Sequence, residues 1–192
     1  MFFSRRKLIM AAVVAAAAAI VLVTQIGASN SDQGAMKLEG AWVARVTSMN
    51  GHPFPAVSQW SYVFSPDASG RSAAIHGSID VGFFPNQPGN TTFSTPLIGE
   101  AVSTGPDTAT FKVIWYTISQ SGPGQFNQVV LIGTASGAAR SVGPGKVEVT
   151  DDFKIYLASA DADGDGFPDE GSTPIRSFTV TTLDTRIPSP GR

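Results

Sequence analysis

The sequence predicts an all-β domain of eight to nine short antiparallel strands, arranged as a closed barrel or, alternatively, a two-sheet β-sandwich. Three observations predict it. After residue 36 no segment holds a helical apolar period, whereas apolar and polar residues alternate repeatedly. Clusters of Gly, Pro, Asn and Asp break that alternation about every 8 to 15 residues. Gly and Pro are also frequent, at 20 and 13 of 192 residues, while charged residues make up only 15 %. With 42 % hydrophobic residues the chain still carries enough apolar surface for a packed core.

The strands follow from the alternation. Leu38, Gly40, Trp42, Ala44 and Val46 share one face of the first, and Trp60, Tyr62 and Phe64 line the second. The second stops at Ser65-Pro66-Asp67-Ala68-Ser69-Gly70, a run of turn formers. Ile75, Gly77, Ile79 and Val81 alternate with His76, Ser78 and Asp80 in the third. Phe93 to Val102 reads as a strand broken at Pro96. Phe111 to Ile118 is apolar on both faces, the pattern of a wall packed against a further element, and Phe126 to Ile132 repeats it. Lys146–Val149, Phe153–Leu157 and Phe178–Leu183 complete the set. No βαβ unit and no internal repeat is visible.

The domain organisation is set by the N-terminus. Arg5, Arg6 and Lys7 precede an unbroken apolar run from Leu8 to Val23, followed by the small residues Gly27, Ala28 and Ser29. Residues 1–29 therefore read as a signal peptide or an N-terminal helical membrane anchor. Residues 30–36 read as a linker, 37–187 as the β domain and 188–192 as a disordered tail. Either fate of the leader leaves the positive head inside and the domain extracytoplasmic: periplasmic, secreted or anchored. Ser4-Arg5-Arg6-Lys7-Leu8-Ile9 also resembles a twin-arginine export signal. The membrane enters only through this segment.

Absent cysteine excludes a disulfide framework, a thiolate metal site, a cysteine nucleophile and a lipid-modified cysteine. Without Arg5, Arg6 and Lys7 the 13 basic residues fall to ten against 15 acidic ones. Asp161, Asp163, Asp165, Asp169 and Glu170 account for the imbalance. No basic patch points to nucleic acid.

Leu38-Glu39-Gly40-Ala41-Trp42 resembles the Gly-x-Trp opening of lipocalin-like (calycin) barrels. Thr150-Asp151-Asp152-Phe153 is similar to that family's Thr-Asp-Tyr element, with Asp152 inserted and Phe153 in place of Tyr. Arg186 falls where the family's late arginine would stack on the opening tryptophan. About ten residues carry the likeness, in the family's order. It implies an eight-stranded barrel whose inward face binds a small apolar ligand or lipid. Trp42, Trp60, Tyr62, Phe111, Val113 and Trp115 are the candidate lining; the alternative is a solid core, as in a structural or adhesion domain meeting an envelope component.

The acidic loop offers a metal site. Asp161, Asp163 and Asp165 alternate before Gly166, with Asp169 and Glu170 beyond, a spacing that wraps oxygens around one hard cation. Gly166 fits the sixth position of an EF-hand loop, but the twelfth is Ser172 and the flanks read as strands. The run resembles instead the Asp-x-Asp-x-Asp-Gly-x-x-Asp calcium loops of thrombospondin type 3 repeats. By that resemblance Asp161, Asp163, Asp165 and Asp169 would bind Ca2+ through side chains and Phe167 through its carbonyl, in a structural role.

No catalytic residues are assigned. His76, Ser78 and Asp80 share a strand face, where successive residues stand about 6.6 Å apart and do not converge on one atom. His52 lies in a turn. The expectation is a binding module and not an enzyme.

Overall fold

The structure, a computed structural model, describes residues 34–54, 59–78, 91–120 and 128–189. The expected leader, residues 1–29, lies outside them. Among the described residues no helix is long and apolar enough to cross a membrane.

The described chain is all-β. Strands β1 (Gly40–Met49), β2 (His52–Pro53), β3 (Gln59–Pro66), β4 (Ser72–Ser78), β5 (Thr91–Ser94), β6 (Leu97–Ser103), β7 (Thr108–Gln120), β8 (Gln128–Gly143), β9 (Lys146–Leu157) and β10 (Arg176–Arg186) follow in order. Eight of them form the ring β1-β3-β4-β6-β7-β8-β9-β10, every neighbouring pair antiparallel, and β10 pairs back with β1. The two-sheet alternative is thereby set aside. Short β2 and β5 are side pairings on β1 and β7.

The inward face follows the alternation read from the sequence. Trp42, Ala44 and Val46 of β1, Trp60 of β3, Ala73 and Ile75 of β4, and Val113 and Trp115 of β7 are all buried in one core. Phe153 is its hub: its ring lies 5.7 Å from Trp115, 5.8 Å from Trp60 and 5.2 Å from the stacked ring of Phe178. Thr95 and Pro96 separate β5 from β6, as the proline required.

Three boundaries differ from the sequence reading. Met36, assigned to the linker, is only 6 % exposed and belongs to the core. Its amide donates to Gly105 O at 2.9 Å and Ser103 Oγ at 2.8 Å, tying the entering chain across one barrel end. The strands expected at 146–149 and 153–157 are one strand, β9, because Thr150, Asp151 and Asp152 keep the alternation. Strand β8 runs to Gly143, well past Ile132. Its inward positions 133, 135, 137 and 139 are Gly or Ala, too small to signal a strand by hydrophobicity.

That smallness is required. A Cβ on Gly133 would lie 2.2 Å from the Trp115 ring, so the indole occupies the space that a side chain on β8 would fill. Turns β3–β4, β6–β7 and β8–β9 gather at the end crossed by Met36 and Leu38, and the described connection from β9 to β10 lies at the other end.

Gly133→Ala is expected to overpack this contact, costing about 1–3 kcal/mol. Thermal unfolding would show a fall of roughly 3–9 °C, with loss of near-ultraviolet dichroism from Trp115.

Candidate functional site

Inside the barrel is a cavity of about 60 Å³, lined mainly by apolar side chains. Trp60, Tyr62, Phe111, Val113 and Trp115 line it, as the sequence reading expected. Trp42 does not. It is buried nearer the closed end, edge-on to Phe64 at 6.4 Å, with its Nε1 donating to Glu39 O at 3.1 Å. Met36, Leu38 and Phe64 line the cavity beside it. Arg186 stands directly opposite Trp42 across the β1–β10 ladder. Its guanidinium packs over Gly40 and pairs with Glu39 Oε1 at 3.1 Å.

Sequence reasoning missed the polar part of the lining. Asp151 of β9 and Asp184 of β10 both line the cavity, 4 % and 1 % exposed. One oxygen of each, Oδ1, is buried without a hydrogen-bond partner. Asp184 Oδ2 accepts a 2.6 Å bond from the Tyr62 hydroxyl, which reaches it past Ala44 on the intervening strand. The signal was present in the alternation. Val147, Val149, Asp151, Phe153 and Ile155 share one face, as do Val180, Thr182 and Asp184, so both aspartates are in phase with core residues.

Burial sets their chemistry. Asp151 is pushed up to about 8, first by burial and then by the charges of Asp184 and Asp152. Asp184 rises to about 6 through burial, while the hydroxyls of Thr182 and Tyr62 pull it the other way. The Tyr62 phenol is raised well above its ordinary value by burial and by Asp184. Near pH 7 the cluster therefore holds a protonated Asp151 and a largely ionised Asp184, close to a single negative charge.

The acidic loop lies outside the barrel, between β9 and β10. Asp161, Asp163 and Asp169 each bring a carboxylate oxygen within 4.8 Å of the others. Each of the three also accepts a loop amide: Asp161 Oδ2 from Gly166 at 3.1 Å, Asp163 Oδ1 from Asp165 at 3.2 Å and Asp169 Oδ2 from Ala162 at 3.1 Å. Asp165 turns Oδ1 to the Phe167 amide at 2.8 Å, and it lines the same shallow concavity as Asp163, Phe167, Asp169 and Glu170. Asp161 Oδ1 is buried and unpartnered. An all-oxygen set with one orphaned oxygen fits a hard cation.

The loop is tied to the outer wall. Tyr116 of β7 donates its hydroxyl to Gly166 O at 2.9 Å. Tyr116, Ile132 and Tyr156 lie in one row across β7, β8 and β9 on the outer face, and Ile132 is only 1 % exposed there. Gly166 has φ +91°, and a Cβ would lie 2.9 Å from the Tyr116 oxygen. The two-sided apolar character of β7 thus has its physical cause in this packing.

His76 and Ser78 face solvent on β4, and His52 lies exposed in β2. Ser78 Oγ is 3.2 Å from Ser61 Oγ. Asp80 lies outside the described residues.

No family model matches the sequence, and no curated protein does. One solved structure similar to the chain is described as EF1p2_mFAP2b bound to DFHBI; it is 20 % identical, with a TM-score of 0.42, over 78 % of this chain and 94 % of that one.

The two buried carboxyls bind protons more tightly folded than unfolded, where they titrate near 3.8. Their contribution to stability is therefore full below about pH 4 and is lost as pH rises toward 6 for Asp184 and 8 for Asp151. Thermal midpoints measured from pH 5 to 8.5 should fall for the wild type. Asp151→Asn should flatten that slope and exceed the wild type at pH 8.5, at roughly 3 °C per kcal/mol.

Proposed function

We propose that this protein is an exported, lipocalin-like binding barrel that holds a small, largely apolar ligand in its interior and is braced outside by calcium. The cavity ringed by Trp60, Tyr62, Phe111, Trp115 and Phe153 is the observation that carries the reading. Lipocalin-likeness is supported by the meeting of Gly40, Trp42 and Arg186 at one barrel end. Export rests on the basic head and apolar run of residues 1–29. The role proposed is binding, since the lining is mainly hydrocarbon and shows no oriented nucleophile–base pair.

Volume limits the ligand. A cavity of about 150 Å³ takes benzene, and sites for drug-sized ligands measure about 300–1,000 Å³. At about 60 Å³ the interior favours a small molecule over a lipid chain. The same figure supports the second reading, a structural domain with an essentially solid core. Titration with ethanol and 1-propanol, followed by Trp60 and Trp115 fluorescence, separates the two. Saturable change that is abolished by filling the cavity with Ala139→Phe supports the binding barrel, and no change in the wild type favours the solid core.

In the loop, Asp161, Asp163 and Asp169 would hold Ca2+, with Asp165 and the Phe167 carbonyl as further oxygens. Bound calcium supplies charge neutralisation for carboxylates that otherwise repel by about 1 kcal/mol per 4 Å pair in water. Extracellular-type sites bind at about 10⁻⁴–10⁻³ M, so 10 mM CaCl2 should stabilise the protein by about 1.4–2.7 kcal/mol over EDTA. Calorimetric melting of Asp161→Asn should show no such increment. An increment unchanged in that variant would remove the loop as its source.

A further inference from the structure

Within the interior the charge does not balance. Asp151 and Asp184 both line the aromatic cavity, four residues apart along the β9–β10 ladder, and Oδ1 of each is buried without a hydrogen-bond partner. No Lys, Arg or His lines the cavity. Every described Lys, Arg and His is exposed except Arg186, and its guanidinium is committed to Glu39. The domain segments outside the described residues, 55–58, 79–90 and 121–127, contain no Lys, Arg or His at all. The domain thus has no internal cation to offer these carboxyls.

We infer that the interior site takes a small organic ammonium ion, a single amine on a short apolar body. This deepens the binding-barrel reading and rests on it. An ammonium donates up to three hydrogen bonds and accepts none. Asp184 Oδ1 is the open acceptor, Asp184 Oδ2 is already held by Tyr62, and Asp151 Oδ1 becomes a second acceptor once its carboxyl gives up the proton. Trp60, Trp115, Tyr62 and Phe153 line the same space, where alkyl carbons lose water and a cation that reaches a ring face gains further attraction. A metal ion suits the site less well, since calcium needs six to eight oxygens and the remaining lining is hydrocarbon.

The test is fluorescence titration of the full-length protein at pH 7 with methylamine, ethylamine and n-propylamine, each beside its matching alcohol. Amines should bind at least tenfold more tightly than the alcohols of the same shape. Asp184→Asn should weaken amine binding tenfold or more and leave alcohol binding within twofold. Asp151→Asn serves as a second variant, and near-ultraviolet dichroism checks that both fold. Should neither variant fold, the wild-type comparison of amine with alcohol decides alone. Equal affinity for amine and alcohol would overturn the ammonium reading and leave the binding barrel standing. Absence of saturation by either class would overturn both.

Discussion

Strand β10 hydrogen-bonds to β9 along one edge and to β1 along the other, and the remaining structure depends on that second ladder. An open sheet of these strands would let one face reach water. Closure removes both edges and places every second residue of eight strands in a common interior. Polar side chains that happen to be in phase with the core face have no route to solvent. Asp184 sits on β10 between ladders to β9 and β1, opposite Ala44 and Val147, and Asp151 sits on β9 opposite Val180. Both carboxyls are interior because the ring closes.

Burying a carboxylate in an apolar cavity costs several kcal/mol unless its charge is met or a proton neutralises it. The protein uses both answers. Asp151 keeps its proton at neutral pH, and Asp184 is stabilised by the Tyr62 hydroxyl at 2.6 Å. Neither answer engages the two remaining oxygens. A sequence tuned for stability alone would carry Val or Leu at these positions, as it does at Val147, Val149 and Val180 on the same faces. In the proposed binding barrel these two aspartates would meet a bound partner with donors of its own.

The fold was legible wherever side-chain size advertised the alternation, as in Trp42-Ala44-Val46 and Trp60-Tyr62-Phe64. It was illegible along β8, where Gly133, Ala135, Gly137 and Ala139 are inward but too small to mark a face. Their size is set by a partner strand: Trp115 fills what β8 leaves empty, and only the register shows which residues meet. The aromatic lining was largely readable, except that Trp42 is buried in the core without reaching the cavity. Asp151 was read as part of a motif, and Asp184 passed unnoticed. An acid in phase with valines is a weaker signal than an acid cluster, although here it marks the more deeply buried chemistry. The spacing of Asp161, Asp163 and Asp169 was legible because one local turn brings them together, whereas the loop's seat on Tyr116 is a contact across 50 residues.

The two candidate sites share a wall one backbone thick. Trp115 points into the cavity and Tyr116, the next residue of β7, points out to the acidic loop. A glycine makes room for each ring, Gly133 across the ladder for Trp115 and Gly166 in the loop for Tyr116. Adjacent strand residues are joined through one peptide plane, so a contact that positions the backbone at Tyr116 also positions the backbone that carries Trp115. The Tyr116–Gly166 bond therefore does more than anchor a surface connection. It fixes the outer side of the strand that carries Trp115, and so helps hold the largest fully buried side chain of the barrel at the cavity wall.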